Sequence, residues 1–181
     1  MEMYIIYLHQ RYRVSVLQIQ RREVERYPEE NCTLFTWKIT KFGEALRKAK
    51  SRKKTSVYSP PFYACGYRCQ LELKPNGFDI GENTHLSIFI RITKGENDAI
   101  LTWPFQKMVK FTLIDQQENA NDRKDIVEFF LSPNDECFSK PVNHENCGWG
   151  YRQFVSHENL LERRYIVDDT IFLQVRITPS S

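Results

Sequence analysis

Any chemistry in this chain has to come from Cys137, His144 and Cys147, from the adjacent carboxylates Asp168 and Asp169, or from the basic run between Arg47 and Lys54. The first group could offer thiolate and imidazole to a metal, but a Cys-x6-His-x2-Cys spacing matches no common zinc module. Cys65 and Cys69 would be at best a distant complement. With Cys32 the cysteines number five, an odd set without a CxxC pair. That argues against a disulfide framework and against a zinc knuckle, and reduced thiols fit a cytosolic protein. Asp168 and Asp169 resemble an acid-base pair, yet neighbours on a strand point to opposite faces and cannot share one substrate, so a turn before the last strand explains them better. There is no GxSxG, no P-loop and no HExxH, and no local signature joins a cysteine to a histidine for thiol catalysis. The expectation is a chain with no catalytic residues, no metal and no cofactor.

The basic run places Arg47, Lys48, Lys50, Arg52, Lys53 and Lys54 within eight residues. These six charges exceed the net charge of +3, so the rest of the chain is mildly acidic. Nucleic-acid binders carry a basic face across the whole domain, so a nucleic-acid partner is not expected. A solvated loop, a nuclear signal and a contact with anionic lipid stay open, the last gaining ~1 kcal/mol per charge near a membrane surface.

The elements that must position these residues are mostly strands. Hydrophobic residues make up 41% of the 181 and aromatic residues 13%, and no segment approaches the ~20 consecutive apolar residues of a membrane span. The opening MEMYIIYLHQRYR lacks a basic n-region and a small-residue cleavage site, which makes it a poor secretory signal. Between Met3 and Val24, residues Met3, Tyr7, Gln10, Val14, Leu17, Arg21 and Val24 follow the alternating spacing of a coiled-coil seam, imperfectly; an irregular leader is the alternative. Pro28 closes the segment. Beyond it, short strand-like runs separated by turn signals predict an antiparallel sandwich. Strands are expected over Thr33 to Ile39, Cys65 to Lys74, Leu86 to Thr93, Met108 to Asp115, Ile126 to Leu131 and Thr170 to Thr178. Short helices are expected over Lys41 to Lys50 and after an N-cap at Ser156. Leu86, Ile88, Ile90 and Ile92 should face the core, which leaves Phe89 as an exposed aromatic on the other face, a mark of a contact surface. Asn76-Gly77 and Gly148-Trp149-Gly150 read as turns.

The blocks TWKITKFGEALRKAK, YSPPFYACGYRCQLEL, NTHLSIFIRITKGENDAILTWPFQKMVKFTLIDQ and GWGYRQFVSHENLLERRYIVDD, in that order from Cys32 to Ile177, resemble the C-terminal domain of the tumour necrosis factor receptor-associated factors, a branch of the MATH fold. The last block is most similar to family member four. The resemblance implies an all-β, eight-stranded antiparallel sandwich with two short helices over residues 29–181. Ahead of it, residues 1–28 would be the end of a trimerising coiled coil; about 24 helical residues span only ~36 Å, marginal as a sole trimer contact. It also implies a cytoplasmic signalling adaptor, recruited to membrane receptors, that takes receptor-tail or adaptor peptides as an added strand at a sheet edge. The family's ubiquitin-ligase modules would be separate from this segment.

Carried over residue by residue, the resemblance implies peptide-pocket aromatics at Phe89 and Phe129, a turn glycine at Gly148, and an aromatic pair at Trp149 and Tyr151. The polar half departs from the family: Glu72, Lys74 and Phe78 stand where other members have Arg, Tyr and Asp, and Asp135, Glu136 and Cys137 replace a run of three serines. Glu72, Asp135 and Glu136 would repel an acidic motif, so peptides with a Lys or Arg beside an apolar anchor are the expected ligands. Lipid binding through residues 47–54, and substrate presentation within a ubiquitin-ligase adaptor, are the competing readings.

Overall fold

The computed structural model describes residues 33–53 and 55–179; the coiled-coil expectation for residues 1–28 lies outside them. Alternation sets the first strand, β1 (Thr33–Thr40): Trp37 and Ile39 are buried while Leu34, Thr36 and Lys38 face outward. The chain then turns through Lys41, in the left-handed region at φ 56°, into α1 (Phe42–Lys50). Lys41 cannot cap this helix with its side chain, and the cap comes from far away. The Asp169 carboxylate accepts from Gly43 N–H at 2.6 Å and the Asp169 carbonyl from Phe42 N–H at 3.0 Å. Asp168 and Asp169 thus form the expected turn, both at positive φ, and the second of them holds a helix start.

Two short strands, β2 (Val57–Tyr58) and β3 (Phe62–Ala64), run along one side of β4 (Tyr67–Lys74). Ser59, Pro60 and Pro61 interrupt them, because proline has no N–H for the ladder. Ser59 repairs the gap: its N–H donates to the Leu71 carbonyl and its Oγ accepts from Leu71 N–H, both at 3.0 Å. Counted as one broken strand, the pair brings the sandwich to the expected eight.

The remaining elements are β5 (His85–Ile92), β6 (Lys107–Leu113), β7 (Ile126–Leu131), β8 (Trp149–Ser156), α2 (His157–Glu162) and β9 (Thr170–Pro179). Ser156 caps α2 by accepting from Asn159 N–H, as expected. Every strand pairing is antiparallel. One sheet runs β1-β9-β6-β7; the other runs β2-β4-β5-β8, with β3 also on β4. Their inner faces bury Leu71, Leu73, Leu86, Ile88, Ile90, Ile92, Phe111, Leu113, Val175 and Ile177.

Two expectations are corrected here. Gly148-Trp149-Gly150 is not a turn but the entry to an edge strand, in register with Phe89 and Ile90 of β5. Gly150 is required by proximity, since a Cβ there would lie 2.0 Å from the Ile88 carbonyl oxygen. The Asn76-Gly77 turn is as expected, with Gly77 at φ +79°. The basic run, in turn, is only partly a loop. Arg47, Lys48 and Lys50 belong to the last turn of α1, where cations suit the helix dipole. Lys48 pairs with Glu44 at 2.6 Å and Arg52 with Glu82 at 3.2 Å, both on the surface. Lys53 is exposed, and Lys54 is outside the described residues.

Candidate functional site at a sheet edge

Strand register collects the candidate residues into two neighbouring groups. On the outer face of the second sheet, Tyr58, Glu72, Phe89 and Gly150 stand opposite one another on β2, β4, β5 and β8, forming one cross-strand row that ends at an edge. Among the described residues β8 pairs with β5 alone. Phe89 is on the outer face as expected, but it is not exposed: 7% of its surface is accessible. Phe78, arriving from the loop after β4, meets it edge-on with ring centroids 6.0 Å apart. The exposed aromatic is therefore Phe78, at 44%, and Lys74 Nζ lies 4.5 Å from its ring centroid. Gly148 borders the same spot, since a Cβ on it would sit 3.2 Å from Phe89 Cβ.

Glu72 behaves differently from the sequence expectation. Its side chain is 3% exposed and surrounded by donors. Arg91 approaches Oε2 with Nε at 2.8 Å and Nη2 at 2.5 Å, Lys74 Nζ is 3.3 Å from Oε1, and the hydroxyls of Ser56 and Tyr58 donate to Oε1 at 2.7 and 3.3 Å. Burial pushes this carboxyl up, but the Ser56 hydroxyl, the Arg91 guanidinium and the Lys74 ammonium outweigh it and hold the group below the ordinary carboxylate range. A charge so compensated cannot repel an acidic ligand, and that part of the expected selectivity is withdrawn. Arg91, which sequence reasoning passed over as an ordinary outward strand residue, is the organiser: it also reaches Glu145 at 3.4 Å and the Asn146 carbonyl at 3.2 Å.

The second group lines the open side of the sandwich, where edge strands β7 and β8 face each other. Trp149 and Tyr151, opposite Ile90 and Ile88, point inward. Trp149 packs on Phe138 at 5.9 Å between centroids, and Tyr151 on Phe111 and Phe130 at 6.4 and 6.3 Å. The Tyr151 hydroxyl donates to the Phe129 carbonyl at 2.5 Å and so ties the two edges together. Phe129 itself alternates outward, beside Lys110 on the other sheet's outer face, so its ring and that of Phe89 are on opposite faces of the molecule. Phe130 and Phe138, not singled out in the sequence, supply the aromatic seam instead; Phe130 stands in register with buried Val109, a pairing the sequence does not show.

Asp135, Glu136 and Cys137 lead into this seam. The Asp135 carboxylate accepts from Cys137 N–H at 2.9 Å and starts the 3₁₀ turn Glu136–Phe138. Asp135 and Glu136 make no ion pair among the described residues. Cys137 offers no thiol to a ligand, because it is bonded to Cys147. The expectation of reduced cysteines is corrected for this pair. The loop between them doubles back, Asn146 Nδ2 donating to the carbonyls of Cys137 and Ser139, and leaves the two Cα atoms 4.9 Å apart, within bridging range. The metal-like trio also differs from the sequence version: Asp135, not His144, joins Cys137 and Cys147, and the sulfurs are spent in the disulfide.

This sandwich, with a cross-strand row of aromatic and charged groups that ends at an edge strand, is matched by the MATH domain family over residues 34–177. The chain belongs to that family. Within it, the chain is 39% identical over 146 residues to TNF receptor-associated factor 5 of Mus musculus, covering 78% of this chain and 26% of that protein. It is 30% identical over 165 residues to TNF receptor-associated factor 2 of Homo sapiens, covering 89% of this chain and 32% of that protein. The chain thus spans about a quarter to a third of the length of these relatives. The structure of Notothenia coriiceps TRAF5 superposes with a TM-score of 0.76 at 22% identity, over 99% of this chain and 93% of that one, and shows the shared fold. These relatives are TNF receptor-associated factors; the narrower resemblance to member four is not established by them.

Proposed function

We propose that this domain is the ligand-binding end of a cytoplasmic, trimeric signalling adaptor, and that it takes an extended receptor-tail or adaptor peptide along edge strand β8. The observation that carries the proposal is the row Tyr58, Glu72, Phe89, Gly150, which brings an apolar shelf and a fixed charge cluster to the edge where a strand could add. Added strands gain affinity from main-chain hydrogen bonds and specificity from alternate side chains, which here would meet the Phe78 and Phe89 shelf on one side and the Trp149 seam on the other. Trimerisation rests on the heptads of residues 1–28 and on the family resemblance. It would turn weak single-site binding into avidity for clustered receptors.

With Glu72 neutralised, the acidic bias of the site rests on Asp135 and Glu136, so the preference for a Lys or Arg beside an aromatic or aliphatic anchor is retained in weaker form. Anisotropy titrations of two matched peptide sets, basic-flanked and acidic-flanked, test both parts. The basic set is expected to bind several-fold tighter, an advantage that shrinks as salt is added. Tighter binding by the acidic set would overturn the charge preference; no binding by either would overturn the peptide site. Lipid binding by Arg47, Lys48, Lys50, Arg52, Lys53 and Lys54 gains nothing from the structure, since Lys48 and Arg52 already have acidic partners. Substrate presentation in a ubiquitin-ligase adaptor would use the same edge, and no observation favours it.

A further inference from the structure

We propose that Cys137 and Cys147 form a reversible thiol–disulfide site that latches the mouth of the β8 edge. Position is the first reason. Cys137 lies in the 3₁₀ turn that contributes Phe138 to the aromatic seam, and Cys147 lies two residues before Trp149, which packs on that same Phe138. The bond therefore joins the two segments that frame the seam.

Accessibility is the second reason. Cys137 is 8% exposed, whereas Cys147 is solvent-exposed. Of the two residues, Cys147 is the one a thiolate arriving from solvent can approach. The attacking thiolate forms a mixed disulfide with Cys147 and the electron pair of the broken S–S bond leaves on Cys137 Sγ, which takes a proton from water. A second thiolate then attacks the incoming group's own sulfur and releases the Cys147 thiolate. Two thiols are oxidised to one disulfide as the protein disulfide is reduced to two thiols.

The surroundings show why reduction would open the mouth without unfolding the domain. Both sides of the loop keep independent anchors: Phe105 N–H donates to the Phe138 carbonyl at 2.8 Å, and Asn146 N–H donates to the Ile92 carbonyl at 3.0 Å. Phe138 remains buried in the core. What the disulfide adds is a covalent restraint between the turn and the residues entering β8, beside the two hydrogen bonds from Asn146 Nδ2 to the Cys137 and Ser139 carbonyls. In a reducing compartment a disulfide of this kind is a transient, sensing one and not a staple. Its consequence for ligand affinity rests on the peptide reading above; the chemistry and the mobility do not.

The test equilibrates the full chain in glutathione buffers from oxidising to strongly reducing, quenches with acid, alkylates, and quantifies Cys137 and Cys147 by peptide mass spectrometry, with amide hydrogen exchange followed in parallel. Cys69, fully buried with its thiol held protonated by burial, reports any unfolding. The pair is expected to titrate within the glutathione range, and amides in segments 134–138 and 147–150 to exchange on the order of tenfold faster when reduced, while the strands of the core stay unchanged. The Cys137→Ser, Cys147→Ser double variant should show the fast exchange in every buffer. A pair that stays oxidised in the most reducing buffer would overturn the proposal as a permanent staple. A pair that reduces with no change in exchange would overturn the latch. Peptide titrations of both forms form a separate arm: absence of any binding there sinks the peptide site while leaving these readouts decisive.

Discussion

Replacing Glu72 with alanine is expected to destabilise the domain by about 3 kcal/mol, read as a lower urea midpoint with an unchanged slope. Removing one partner of a buried charge cluster leaves the others without compensation, typically the most damaging change an ion pair can suffer. Arg91 and Lys74 are 20% and 18% exposed, so each can turn partly to water, which keeps the loss at the lower end of that range. Glu72→Gln, which still accepts from Ser56 and Tyr58, should fall between wild type and alanine. The pH dependence has a definite sign. Because the folded carboxyl is held below its unfolded value, its contribution is complete above the ordinary carboxylate range and is lost as pH falls through the folded value. Glu72→Ala should therefore flatten the acid limb of the stability profile and converge with wild type at low pH. A cost below about 1 kcal/mol would mean that the cluster acts as an exposed pair and does not organise the face.

Gly150→Ala is expected to cost about 3 kcal/mol for a different reason. The added Cβ would meet the Ile88 carbonyl oxygen at 2.0 Å and Phe89 Cα at 2.8 Å, and both belong to a central strand that cannot retreat. The edge must give way, so the variant should lose ligand binding together with stability. Gly43→Ala is the comparison: its nearest neighbour, at 3.1 Å, is the Asp169 carboxylate that caps α1, so its cost is limited to loosening that cap, about 1 kcal/mol. Thermal melts that rank the two variants equally would refute the β5/β8 register.

Much of this is legible in the sequence. Alternation in Thr33 to Ile39 and in Leu86 to Ile92 gives inner and outer faces directly, and the helix at Phe42 and the cap at Ser156 follow from spacing and residue type. What was not legible depended on long-range pairing. Gly148 and Gly150 read as turn residues because a glycine demanded by a neighbouring strand looks, in sequence, like one demanded by a turn. Glu72 was read as an open charge because its neutraliser, Arg91, lies on another strand and is identified only by register. Phe89 was read as exposed because nothing in the sequence says that Phe78 folds over it. Cys137 and Cys147 were read as unpaired thiols because their spacing does not reveal the path of the loop between them.

The claim that β8 is the binding edge is tested most directly by amide exchange and chemical-shift mapping of the isotope-labelled domain with a saturating basic-flanked peptide. Slowed exchange at alternate amides of Trp149–Ser156, with shifts at Phe78 and Phe89, is the result expected of an added strand. Protection confined to β1 or to the outer face around Phe129, with β8 unchanged, would contradict it.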